Sequence, residues 1–191
     1  MSRILIVNII IVFIYIIHSF PQTYYLNIQG GAGYARYITD MNKSGFNLNG
    51  IISHIRVMWE PEHLLRIGLE SGYNSLYTYE ESVTDTEFGS TDAKSSLNSI
   101  PLFLVISMEI IPSINLTTGF GPSFLKTSFE AFGSQNQSTQ ISTSYYVAAS
   151  YSYPLNMKFA FGGEFRWYRI QKIEDGTLSI QLMLQYRLFS W

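Results

Sequence analysis

The 191-residue sequence has no cysteine, and charged residues make up only 14% of it. Without cysteine there are no disulfides, no thiolate metal sites and no lipid-modified cysteine anchor. Ordinary soluble domains carry roughly 25% charged residues, so this chain is short of the groups that coat a water-facing surface. Formal net charge is only -2, which leaves no basic excess for a nucleic-acid partner. Beyond residue 23 no window is long and apolar enough for a transmembrane helix. Aromatic residues, by contrast, are abundant at 16%.

The N-terminus carries its own signal. Arg3 precedes the apolar run ILIVNIIIVFIYII at 4–17, the pattern of a basic n-region followed by a secretory h-region. A permanent helical anchor needs about 20 apolar residues, so an uncleaved anchor is the lesser reading. Cleavage is expected within HSFPQT at 18–23, where no small-x-small site stands. The expected organisation is a signal peptide at 1–22 and one exported domain at 23–191.

That domain reads as strands throughout, with side chains alternating at period two. Eight candidates cover 25–37, 50–60, 64–77, 97–110, 114–126, 141–153, 157–170 and 178–189. Most exceed the soluble mean of about 5–6 residues and suit a tilted membrane crossing of about 9–11. Short turns at 61–63, 111–113 and 154–156 alternate with long polar loops at 38–49, 78–96 and 127–140. An up-and-down barrel with short periplasmic turns and long outer loops has this rhythm. The final connection contains Asp175-Gly176, a two-residue hairpin signal.

One parity rule runs through all eight segments. Apolar residues such as Ile55, Val57, Leu69, Leu104, Phe120, Phe165, Leu182 and Leu184 share one face. Arg56, Glu60, Arg66, Glu70, Glu109, Lys158, Glu164, Arg166 and Arg187 lie on the other, and Arg36 is the main exception. Alternation alone does not say which face is outside, and a soluble lipocalin-like binding barrel would share the period. Three observations favour lipid against the apolar face. Gly31, Gly33, Gly68, Gly72, Gly119, Gly121 and Gly162 gather on the charged parity, as a narrow, side-chain-filled lumen requires. Charges on that face nearly balance. Finally, Trp59, Tyr153, Tyr34, Tyr73, Tyr145 and Trp167 sit at apolar-parity strand ends, where interfacial girdles form.

With its leader, eight strands and segments such as SIPLFLVISMEI and LTTGFGPSF, the chain resembles outer-membrane β-barrel proteins. It looks most like PorT-like barrel domains and is similar in plan to the OmpA/OmpX transmembrane barrels. The resemblance covers the whole mature chain. It implies a bacterial outer-membrane location, a monomer surrounded by outer-membrane lipid, and handling by the barrel-insertion machinery. It also admits a surface or secretion-system protein as partner. Such chains often end on an outward aromatic; here Phe189 and Trp191 share the parity of Arg187, a departure from that pattern.

Turn lengths predict registers. A three-residue turn at 61–63 sets His54 opposite Glu70 and Met58 opposite Arg66. A turn at 154–156 sets Tyr146 opposite Glu164, and the Asp175-Gly176 turn sets Glu164 opposite Arg187. The expected site is therefore a polar lumen network of Glu164, Arg187 and Arg166, joined by Arg56, Arg66, Glu70 and His54. In the plain reading this network is a structural plug; in the sharper one it gates a small pore. The expected role is non-enzymatic, with outer loops binding partners. The alternatives are a gated pore or secretion-apparatus component, the soluble barrel, and an outer-membrane lipid-modifying enzyme. His54 is the only strand-interior histidine, and no motif fixes a serine or second acid beside it. No cofactor or metal site is expected, because the acidic loop at 80–93 has no fixed ligand spacing.

Overall fold

The computed structural model describes residues 24–39, 46–61, 65–83, 91–131, 134–173 and 176–190. The expected signal peptide lies outside them. The elements are β1 (Tyr25–Ile38), β2 (Phe46–Asn47), β3 (Asn49–Glu60), β4 (Leu65–Val83), β5 (Thr91–Ile111), β6 (Ile114–Ala131), β7 (Ser134–Pro154), β8 (Phe159–Ile170) and β9 (Gly176–Ser190). The eight long strands pair antiparallel in the order β4-β3-β1-β9-β8-β7-β6-β5, and a β4–β5 ladder closes the ring. The two-residue β2 continues the line of β3 along the same edge of β4, pairing Phe46 with Tyr79.

Alternation forms this barrel because each strand separates two environments. Val57 pairs with Leu69, Leu104 with Phe120 and Phe165 with Ile180, and all six side chains are exposed on the outer face. Phe120 and Leu182 are each 63% exposed, whereas Arg56 and Glu164 are each 2% exposed. The barrel is polar within and apolar without. That inversion excludes the soluble lipocalin-like alternative, whose apolar face would be the buried one.

Two hairpins are longer than the sequence suggests. The expected loops at 78–96 and 127–140 are largely strand: β4 and β5 pair out to Val83 and Thr91, and β6 and β7 out to Ala131 and Ser134. Alternation is invisible in 134–140 because both faces of that Ser/Thr/Gln-rich strand meet water. Backbone pairing carries the strands onward, helped by β-branched threonines and by the Lys94–Glu80 ion pair at 2.6 Å across β5 and β4.

Registers shift by even numbers of residues, which preserves every face. The turn at 154–156 is wider than three residues: Pro154 pairs with Ala160, and the Asn156 side chain accepts from the Lys158 and Phe159 amides at 2.8 Å. The β8–β9 connection is wider too, with Arg169 opposite Gly176. Here the Gln171 amide donates to Thr143 O at 2.9 Å and the Lys172 amide to Ser142 Oγ at 3.2 Å. Residues 171 and 172 thus follow β7 instead of turning at once into β9. Glu174 and Asp175 of the expected two-residue turn lie outside the described residues, and Thr177 pairs with Tyr168.

A bulge corrects the C-terminal strand. Arg187 pairs with Asn27 but Phe189 with Leu26, leaving Leu188 as the extra residue. The inserted residue reverses the parity beyond it, so Phe189 faces outward at 62% exposure and not into the lumen. Phe189 thus leaves the inward side expected of it, while Trp191 lies outside the described residues.

Candidate functional site

The centre of the lumen holds four charges. Arg56 and Glu70 stand opposite each other on β3 and β4, while Glu164 and Arg166 are alternate inward residues of β8. Arg56 meets Glu70 at 2.6 Å and Glu164 at 3.1 Å. Arg166 meets Glu70 at 2.7 Å and Glu164 at 2.6 Å. Each guanidinium bridges both carboxylates and each carboxylate touches both guanidiniums, with every side chain buried. Charge balance and multiple charge-assisted hydrogen bonds make such burial tolerable.

Neutral groups complete the cluster. The Tyr146 hydroxyl donates to Glu70 Oε2 at 2.8 Å, and the Arg166 guanidinium carbon lies 4.0 Å from the centre of its ring. Arg56 Nη1 donates to Gln29 Oε1 at 3.0 Å. The Tyr146 ring covers Gly119, where an added Cβ would stand 2.2 Å from a ring carbon. The glycine is the space into which the tyrosine folds.

Not all the expected network residues meet here. His54 faces Gly72, and its Nδ1 pairs with Gln181 Oε1 at 2.9 Å instead of with Glu70. Its Nε2 and the Asn74 amide have no protein partner and line a small internal cavity. Arg66 belongs to a second cluster at the turn end, paired with Glu60 at 3.2 Å and Glu109 at 3.3 Å. The expected Glu164–Arg187 pair does not form. Glu164 faces Gln181, while Arg187 lies near the turn end, its guanidinium carbon 4.1 Å from the Tyr25 ring centre. The wide β8–β9 connection accounts for that displacement along the strand.

Sequence reasoning misses Gln29 and Gln181 as members, although both share the inward parity of the charges, and it sets Tyr146 opposite Glu164 where the structure pairs it with Tyr168. It also misses a hydroxyl cluster above them. There Tyr168 Oη lies 2.9 Å from Ser99 Oγ and 3.0 Å from Ser123 Oγ, and Ser123 also bonds Ser144. Uncharged residues of this kind carry no distinguishing sequence signal.

The six aromatics stand on the outer face in two groups. Trp59 and Tyr153 lie toward the turn end, and Trp59 stacks on Tyr24 at 6.3 Å. Tyr34, Tyr73, Tyr145 and Trp167 lie toward the loop end. There the Tyr73 hydroxyl donates to Asn98 Oδ1 at 2.8 Å and Tyr34 bonds Asn49. Tyr145 and Trp167 shield each other edge to face at 5.8 Å.

A closed strand ring leaves no backbone edge in hydrocarbon, and an apolar belt around a polar interior suits lipid outside. The chain has the fold of an outer-membrane-type transmembrane β-barrel. Solved structures with this fold include Neisserial surface protein A, NspA (TM-score 0.54, 16% identity, covering 85% of this chain and 97% of that one). Ail, the attachment invasion locus protein of Yersinia pestis, aligns at TM-score 0.53 and 13% identity over 88% of this chain and 100% of its own. A major outer membrane protein from Thermus thermophilus aligns at TM-score 0.57 and 12% identity, covering 86% of this chain and 99% of its own. No family model and no curated protein matches the chain, so the narrower likeness to PorT-like domains stays an expectation from sequence.

Proposed function

We propose that this chain is a non-enzymatic, electrically closed barrel of the bacterial outer membrane whose protruding sheet captures partner proteins. The observation that carries the reading is the open edge of β7. Over residues 134–141 this strand pairs with β6 on one side and has no strand partner on the other among the described residues. The segment SQNQSTQI holds no charge and no proline, the usual devices that blunt a free edge. An extended segment of a surface or secretion-system protein adds there as a further strand. Ail, the attachment invasion locus protein of Yersinia pestis, carries attachment in its name, in keeping with a binding role for this fold.

The barrel serves as a monomer, placed by the barrel-insertion machinery, with its outer aromatics at the two lipid–water boundaries. Catalysis is disfavoured by the engagement of Glu70 with two arginines and Tyr146, which leaves His54 with Gln181. A labelled decapeptide of alternating threonine and valine, titrated onto the barrel in nanodiscs, tests edge capture. Saturable binding is expected, and it should vanish in Gln137→Pro/Ser138→Pro, which removes donors from the edge whichever residue faces outward. Unchanged binding in that variant contradicts the proposal.

The second reading, a small gated pore, requires the central cluster to part. In planar bilayers the closed barrel is expected to be silent. Discrete, charge-unselective openings altered by Glu164→Gln favour the pore instead.

A further inference from the structure

The lumen is polar along most of its length, yet its loop end closes on an apolar layer of Tyr37, Leu76, Leu97, Leu125 and Ile170, all buried. A bulge in β4 lies at this layer. Ser75 pairs with Asn98 and Tyr77 with Leu97, so Leu76 is the extra residue. Leu76 keeps the inward side of Asn74 at 1% exposure, and the bulge re-aims the residue after it: Tyr77, which plain alternation would send outward, pairs with inward Leu97 and faces the space above the layer.

That space is an open cavity of about 280 Å³. Its floor is aliphatic, made by Leu97, Leu125 and Ile173, and one wall is the Tyr37–Tyr77 ring pair, 5.8 Å between centres. The polar part of the lining comes from Thr127, Gln140 and Lys172, and no carboxylate lines it among the described residues. The volume lies near the lower end of small-ligand sites, roughly 300–1,000 Å³. It suits one ring or a short chain, and a whole lipid is too large.

We propose that this mouth cavity binds a small amphipathic anion, an aromatic or short-chain carboxylate. Its apolar end rests on Leu97, Leu125 and Ile173, and its carboxylate meets the Lys172 ammonium, with Thr127 and Gln140 as hydrogen-bonding neighbours. The site borders the β7 edge through Gln140 and needs neither an open lumen nor a partner protein.

Saturation-transfer NMR on the full barrel in nanodiscs tests this with p-toluate and its neutral counterpart, p-methylbenzyl alcohol. Wild-type protein is expected to bind p-toluate saturably and about tenfold more tightly than the alcohol, the size of one charge-assisted contact. Lys172→Gln should remove that preference while leaving alcohol binding unchanged. Thr127→Trp, which fills the cavity from its wall, should abolish binding of both. Heat-dependent gel mobility checks the folding of each variant, and Gln140→Trp replaces Thr127→Trp if the latter does not fold. Equal signals from empty nanodiscs, full binding by a folded tryptophan variant, or equal wild-type affinity for acid and alcohol each overturns the proposal.

Discussion

Arg56 and Glu70 stand directly opposite each other on β3 and β4, and their charged groups meet at 2.6 Å with both side chains buried. Removing the arginine leaves Glu70 and Glu164 with Arg166 alone among their ion-pair partners. The uncompensated acid then sits in a low-dielectric interior, and the cost exceeds that of any surface ion pair.

Arg56→Met is therefore expected to destabilise the folded barrel by about 3–5 kcal/mol. The urea midpoint of refolding into lipid measures it. A loss below about 1 kcal/mol would indicate a lumen wet enough to solvate the stranded acid.

Arg187 provides the contrasting case. It shares the inward parity of Glu164, but its contact is the Tyr25 ring at 4.1 Å. Arg187→Ala should cost under about 1 kcal/mol, the range of a partly exposed cation–π contact. In a double-mutant cycle with Glu164→Gln, the coupling should be near zero. Coupling above about 1 kcal/mol would restore the direct pair expected from the turn motif.

Gly119 tests how tightly the lumen is filled. A Cβ there meets the Tyr146 ring at 2.2 Å, and moving the ring strains the hydroxyl contact to Glu70. Gly119→Ala should destabilise by about 1–3 kcal/mol, as overpacking does. Adding Tyr146→Phe should then cost less than the same change in the wild type, because the hydroxyl contact is already weakened. Equal costs of Tyr146→Phe in both backgrounds would show that the ring accommodates the methyl group without moving.

Faces were legible in the sequence because period two survives any even slip in register. The three turns with expected registers shift their strands by two, four or six residues relative to the simplest hairpin, for instance Trp59 opposite Ile67 and Glu164 opposite Gln181. Side chains therefore kept their face while exchanging partners. Partners were not legible because they depend on how a turn is held, by the Asn156 side chain in one case and by β7 gripping 171–172 in another. Bulges were the remaining blind spot. The extra residues Leu76 and Leu188 look like ordinary strand leucines, yet each reverses the parity of the residues beyond it.

The central claim is that the apolar face meets lipid while the charges are packed inside. Because the chain lacks cysteine, single spin labels can be placed at Leu104, Phe120 and Leu182, which are 57%, 63% and 63% exposed on three strands. In reconstituted bilayers, electron paramagnetic resonance should find all three accessible to oxygen and shielded from a water-soluble nickel chelate. Labels open to the chelate and poorly relaxed by oxygen would contradict the account.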